Sequence, residues 1–349
     1  MRPITIAITV CVLISCQRNQ DSPPDTFPCT DLGVRNAHAM AYHQAQEKIY
    51  LFGGATHDSV QSDLWTFDLD SASWQKVITN PGPSSRTFAS FAYEPESESL
   101  ILFGGSKVLF GDGPSPDNAL GDTWKLTQGQ WKLIPAEQSP LPRAEANLVY
   151  DPSGNRMILF GGYTIDGNQY IKLGDTWELK NDTWALLAEK GPSPRHGVVL
   201  FYDHNLERIV LFGGSTADRQ YGNSAGETWY LEDNRWTKIE VEQGPGVFNP
   251  AYDYDTNEKV AVRFGGWDGR KRTDETWIFS NNQWEELPLE VKPDARNHSQ
   301  MIYHEKAGFM VLFGGHDGSN VFGDTWKFEN STWRLLNTCG PIPRTKNGH

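Results

Sequence analysis

Along most of the chain, apolar and polar residues alternate in short runs rather than at helical spacing. Runs such as Arg156-Met157-Ile158-Leu159-Phe160 are bounded by turn-forming clusters, here Asp151-Pro152-Ser153-Gly154-Asn155, which is strand-and-turn punctuation. No segment carries a 3.6-residue apolar stripe long enough to argue for a helix. The runs recur. Phe-Gly-Gly begins at Phe52, Phe103, Phe160, Phe212, Phe264 and Phe313, at spacings of 51, 57, 52, 52 and 49 residues, so a period near fifty organises the chain. Each unit opens with a β-type stretch ending in Tyr (Tyr42, Tyr93, Tyr150, Tyr202, Tyr254, Tyr303) and runs on into Gly-Gly. It closes with two strands bearing a tryptophan pair: Trp65/Trp74, Trp124/Trp131, Trp177/Trp184, Trp229/Trp236, Trp277/Trp284 and Trp326/Trp333. Asn181-Asp182, Asp233-Asn234 and Asn281-Asn282 tolerate the positive φ that a two-residue hairpin between those strands needs. Four strands per unit predict one antiparallel sheet per unit, and six such sheets bury one another's faces when packed radially.

Twelve of the 13 tryptophans occupy repeat positions, which leaves Trp267 alone outside the pattern. Recurrence in every unit marks a structural role: the Gly pairs allow a bend, and the Trp pairs fill space between sheets. The acid two residues before each first Trp (Asp63, Asp122, Asp175, Glu227, Glu275, Asp324) reads as a hydrogen-bond acceptor for backbone or for arginine. Arginine recurs 17 residues before the Phe, at Arg35, Arg86, Arg143, Arg195 and Arg296. The fifth unit departs, with Val247 there and Arg263 where the other units have Leu. A hairpin turning near Asp255 and Thr256 would place residue 247 opposite 263 or 264, so each unit keeps one guanidinium. Two readings stay open: pairing with the repeat acid, or a positive ring around a central channel that binds an anion.

The apolar run into Gly-Gly, the spaced Trp pair and the period resemble kelch repeats, and six copies resemble an all-β, six-bladed propeller over roughly residues 33–338. The resemblance implies that the loops joining second and third strands line one face of the disc beside the channel, where ligands sit. Those loops carry the non-repeating residues His57, Asp58, Tyr163, Asp166, Tyr170, Arg219, Tyr221, Trp267, Asp268, Arg270, His316 and Asp317. Aromatic faces among charges suit a sugar or a peptide. Trp267, beside Arg270-Lys271-Arg272, leads this set. Kelch propellers include interaction platforms and sugar-converting enzymes, so the fold does not choose between them.

Lys and Arg total 31 against 44 Asp and Glu, a net charge of -13, the wrong sign for a nucleic-acid partner. Residues 1–15 hold a single Arg2 and an apolar run too short to span a bilayer, the pattern of a signal peptide. Leu13-Ile14-Ser15-Cys16 resembles the lipobox of bacterial lipoproteins. That implies lipidation at Cys16, a polar tether over residues 16–32, and a chain exported to the bacterial cell envelope, periplasmic or surface-facing, touching the membrane through its anchor alone. An ordinary cleaved signal with an incidental Cys16 is the alternative. Cys29 and Cys339 then stand one near each end of the fold, the latter opening a tail over residues 339–349. They form either a disulfide between the termini or two separate thiols.

The nine histidines are scattered singly, with no HExxH and no Cys/His cluster at zinc spacing. No metal or cofactor is expected, and a thioether-linked copper site has no cysteine within the blades. His38, His196 and His298 lie within three residues of the repeat arginine and either converge on the channel or stand apart on separate blades. The expected function is a non-enzymatic module holding an envelope protein or a glycan on its loop face. The alternative is a carbohydrate-active enzyme, such as a sugar-acid mutarotase or isomerase, using Arg with His or Glu as acid and base. Convergence discriminates: His, Glu and Arg from several blades in one closed pocket favour the enzyme, and a shallow aromatic face favours binding.

Overall fold

The computed structural model describes residues 32–109, 115–188, 190–216, 224–239, 244 and 246–338. Cys16, the Cys29–Cys339 pair and the tail lie outside the described residues. Six four-stranded antiparallel sheets form in chain order, the first from Ala39–His43, Lys48–Phe52, Leu64–Asp68 and Ser73–Val77. The first strands, Ala39–His43, Ser90–Glu94, Asn147–Asp151, Val199–Asp203, Ala251–Asp255 and Gln300–His304, touch one another in turn around a closed circle. The molecule is therefore a six-bladed propeller with these strands innermost. Every blade takes all four strands from one unit, so the ring closes without strand exchange. The third and fourth strands turn where expected, with both central residues left-handed at Asn181/Asp182 (φ 52 and 58) and Asn281/Asn282 (φ 49 and 66).

Blades join through paired aromatics. The Phe of each Phe-Gly-Gly meets the second Trp of the next blade, from Phe52–Trp131 (5.4 Å) round to Phe313–Trp74 (5.2 Å) between the last and first. Four of these indoles donate to a threonine of the preceding blade, as in Trp184 Nε1 to Thr123 Oγ1 at 2.8 Å and Trp74 to Thr325 at 3.2 Å, whereas Trp284 Nε1 and Thr228 Oγ1 are buried and unbonded. The first blade has Leu64 at the threonine position, and Trp131 packs on it within an apolar cluster.

A second joint is built on the arginine. Its carbonyl accepts from the second glycine of the preceding blade, as in Gly54 N–H to Arg86 (2.9 Å) and Gly315 N–H to Arg35 (2.8 Å). Its guanidinium turns back into its own blade, where Arg86 Nη1 meets the Gly104 carbonyl at 3.0 Å and the two Nη atoms clasp Asp122 at 2.7 and 2.9 Å. Arg35–Asp63, Arg143–Asp175, Arg195–Glu227 and Arg296–Asp324 repeat the ion pair. In the second to sixth blades the acid also accepts its neighbouring indole, as in Trp326 Nε1 to Asp324 at 2.6 Å. The Gly pair is obligatory here: at Gly53 (φ +65) a Cβ would stand 2.7 Å from the Arg86 carbonyl.

The fifth blade corrects the sequence reading. Its register pairs Tyr252 with Arg263 and Ala251 with Phe264, so residue 247 does not face 263. Val247 keeps the backbone joint, accepting Gly214 N–H at 2.9 Å. Arg263 forms no ion pair with Glu275 among the described residues. It is buried against Trp277 (5.0 Å), Trp284 (5.4 Å) and Phe212 (5.7 Å), with Nε and Nη2 unbonded. Burial, opposed by Glu275 and Glu286, lowers its pKa to about 9.

Arg296 and Asp324 are the most enclosed pair, with side chains 0% and 2% exposed. Arg296→Met leaves a buried, uncompensated carboxylate, and the expected cost is about 3–5 kcal/mol, measured as a lower urea midpoint at unchanged slope. A loss below ~1 kcal/mol would contradict the structural role of this joint.

Candidate functional site

Two residues after the arginine position the chain turns left-handed in every unit: Ala37 (φ 51), Phe88 (φ 56), Glu145 (φ 52), Gly197 (φ 63), Asn249 (φ 51) and His298 (φ 55). Five of the six are not glycine, and each pays about 1–2 kcal/mol for that conformation. The compensation is a closed circuit of backbone hydrogen bonds. Phe88 N–H donates to Ala37 O (2.8 Å), Glu145 to Phe88 (3.0 Å), Gly197 to Glu145 (3.2 Å), Asn249 to Gly197 (2.8 Å), His298 to Asn249 (3.3 Å) and Ala37 to His298 (2.9 Å). The circuit encircles the axis at the end of the channel that carries the Gly-Gly loops. Its side chains are the varied element of an otherwise repeated position, which is where strain marks function.

Outside the circuit lies a mouth of about 530 Å3, walled by Phe88, Leu109, Phe248 and Trp267 with His57, Arg272, Asn297, His298 and His316. Two-residue bridges set its rim, pairing Phe248 with Trp267 and Asn297 with His316. Tyr163, Trp267 and His316 occupy one repeat position, the residue after Gly-Gly. Trp267 is half-buried and stacks on Arg272 at 5.2 Å, while its Nε1 is buried without a hydrogen-bond partner. Arg272 Nε donates to Asn297 Oδ1 at 2.8 Å.

The structure sorts the loop residues. Trp267, His316 and His57 line the mouth. Asp268 and Asp317 build turns, each Oδ1 accepting two backbone N–H groups at 2.7–2.8 Å. Arg270 is exposed to solvent. Tyr163 is buried behind the mouth, packed on Tyr170 (5.3 Å) and His196 (5.6 Å). Asp58 and Asp166 are exposed, and Arg219 and Tyr221 lie outside the described residues. None of the arginines Arg35, Arg86, Arg143, Arg195, Arg263 and Arg296 lines the central cavity. Ion pairs hold five of them inside the blades and aromatic rings hold Arg263, so no positive ring faces the channel.

Side chains of four blades meet at the circuit. His196 Nδ1 contacts Glu145 Oε2 at 2.5 Å, and Asn249 Nδ2 donates to the same oxygen (2.8 Å) and to His298 Nε2 (2.9 Å). With Nε2 accepting, the His298 proton sits on Nδ1 and is donated to His316 Nε2 at 2.9 Å. Burial, then His316, pushes His298 down to about 3 despite Glu145, and burial with Arg272 pushes His316 to about 4. Burial opposes ionisation of Glu145, but His196 and the hydrogen bonds outweigh it and hold the carboxyl below its usual range. His38 stands apart, buried edge-on to Phe313 at 5.4 Å with both ring nitrogens unbonded. Sequence reasoning passed over Glu145 and Asn249. The signal was present as a fixed repeat position, two beyond the arginine, occupied by six different residues.

A histidine whose folded pKa lies below its ordinary 6.5 stabilises the fold fully above that value, and the contribution falls as pH drops towards the folded pKa. Nitrogen-detected NMR should find His298 and His316 neutral, protonated on Nδ1, from pH 8 down to 5.5. A titration midpoint near 6.5 for either ring would contradict the relay.

Residues 175–349, half of the chain, match the KLHDC2/KLHL20/DRC7 Kelch-repeats domain, and residues 34–79 match the Kelch motif. Among curated proteins the chain is 27% identical over 225 residues to an F-box/kelch-repeat protein of Arabidopsis thaliana, covering 58% of this chain and 43% of that one. It is 24% identical to Kelch domain-containing protein 10 of Bos taurus, over 58% of this chain and 48% of the relative. It is also 24% identical to Multiple epidermal growth factor-like domains protein 8 of Mus musculus, over 63% of this chain and 8% of that protein. The chain thus spans from under a tenth to about half of these relatives' lengths.

Proposed function

The chain belongs to the kelch-repeat family, and on that premise we propose that it is a binding module whose loop-face mouth holds a partner protein or a glycan of the bacterial cell envelope. Kelch propellers generally mediate protein–protein binding, which supports the coarser part of this reading. The observation that carries it is the Trp267 wall: a half-buried indole face, backed by Arg272, with a buried N–H awaiting an acceptor. A ring face beside an unmet donor suits a sugar ring or a peptide carbonyl over an apolar side chain. The lipobox-like Cys16 and the polar tether over residues 16–32 support an envelope location.

A second reading, acid–base chemistry on a sugar acid, draws on the convergence of Glu145, His196, His298 and His316 at one place. The repeat arginines that would bind the substrate carboxylate are committed to structural contacts, which weighs against it.

Binding of the full chain to arrayed envelope peptides and glycans should single out a ligand, and Trp267→Ala should weaken it at least tenfold, about 1.4 kcal/mol or more, without lowering thermal stability. A variant that retains every interaction would overturn the assignment of the mouth. Conversion of a bound sugar acid would favour the second reading.

A further inference from the structure

The central cavity below the hydrogen-bond circuit holds about 410 Å3, within the size range of small-ligand sites. Its lining has an unusual charge balance for a channel ringed by six arginine-bearing units. Among the described residues no Lys or Arg lines it, while Glu145, Asp253 and Glu305 do. The absence follows from the fold, since each blade turns its guanidinium away from the axis. The acids stand at three depths: Glu145 in the circuit, Asp253 in the innermost strand Ala251–Asp255, and Glu305 just beyond the strand Gln300–His304. At the level of Asp253 the other five blades present Ala41, Ala92, Val149, Phe201 and Ile302, so a single carboxylate stands in an apolar waist. Tyr42, Tyr93, Tyr150, Tyr202, Tyr254 and Tyr303 follow one residue later and surround the end remote from the circuit. That end opens to solvent past exposed Gln44, Pro152 and His204.

Two independent features ask for a donor. Glu145 is 6% exposed, yet its Oε1 has no hydrogen-bond partner. Ser299 Oγ and Asn147 Oδ1, also on the cavity lining, are buried and unpartnered as well. Buried acceptors left unmet are costly. Glu145 meets His196 through Oε2 alone, while Asp253, focused by apolar walls with no Lys or Arg on the lining, attracts cations, and tyrosine faces add to that attraction for an organic cation. The three acids stand at separate levels, and among the described residues no group of three His, Cys, Asp or Glu could hold a metal ion.

We propose that the central channel is a binding site for a small organic cation, an amine with an apolar body, entered from the tyrosine end and drawn to Asp253 at the waist and Glu145 at the closed end. Burial, with Glu305 and Asp255 nearby, raises the Asp253 carboxyl to about 7 despite backbone N–H groups of Tyr303 and Tyr254. A bound ammonium would supply the counter-charge. The site is separate from the loop-face mouth, so either assignment can fail without the other.

The test is calorimetric titration of the full chain at pH 8 with benzylamine, phenethyltrimethylammonium and spermidine, against benzyl alcohol and benzoate as neutral and anionic controls. At least one amine should bind saturably at one per chain and at least tenfold tighter than benzyl alcohol, and benzoate should not bind. Asp253→Asn should weaken that amine tenfold or more, and Trp267→Ala at the mouth should leave it within twofold. No saturable binding by any of the three cations, equal binding of benzyl alcohol, or an undiminished Asp253→Asn complex would each overturn the proposal. If Asp253→Asn does not fold, the wild-type preference for amine over alcohol decides.

Discussion

A ring of six sheets that exchange no strands must be held closed by contacts no stronger between its first and last blades than between any other pair. The circuit of six backbone hydrogen bonds around the axis satisfies that constraint. Each bond is worth about 0.5–1.5 kcal/mol, and five left-handed non-glycine residues oppose it by similar amounts, so the circuit is not a reservoir of stability by itself. Its role is geometric, because no member can leave without breaking two of the links, and Ala37 donating to His298 makes the first and last units neighbours like the rest. The arginine joints and the Phe–Trp pairs act around it at larger radius. Each spans a blade boundary, and each is repeated where the last blade meets the first.

This arrangement divides labour between backbone and side chains. The circuit uses only N–H and C=O, so the side chain at that position is unconstrained by the repeat. Ala37, Phe88, Glu145, Gly197, Asn249 and His298 therefore differ from blade to blade while their backbone conformation does not. The same logic governs the residue after Gly-Gly, whose backbone bridges set the rim while its side chain varies from Ala55 to Trp267 and His316. Two tiers of varied side chains thus stand on a uniform scaffold, one facing the mouth and one at the junction of mouth and channel, with Phe88 and His298 shared by both cavities. The arginines that repetition made conspicuous serve the scaffold.

The fold was legible because strand period, turn chemistry and a fifty-residue repeat are local signals. The pairing of arginine with the repeat acid was legible as one of two options, since regular spacing brings both to each blade. Register was less so: turn residues near Asp255 left the hairpin offset undetermined, and Arg263 proved to face Tyr252 rather than residue 247. The left-handed circuit was hidden for a physical reason. Its members are mostly Ala, Phe, Glu and His, not the Gly or Asn that announce positive φ, and each is bonded to a residue about fifty positions away. Tyr163, Trp267 and His316 stood out in sequence as variable loop residues, but only the fold separates Trp267 and His316 on the mouth from Tyr163 behind it.

The account's central claim is that the six-bond circuit closes the ring as one unit. Native-state hydrogen exchange of the amides of Ala37, Phe88, Glu145, Gly197, Asn249 and His298 tests it most directly. The account predicts that all six exchange only through a common opening near the free energy of global unfolding, with Ala37 and His298 as protected as the others. Exchange of Ala37 or His298 at the rate of exposed loop amides, while the other four stay protected, would show a ring open between its first and last blades and contradict the account.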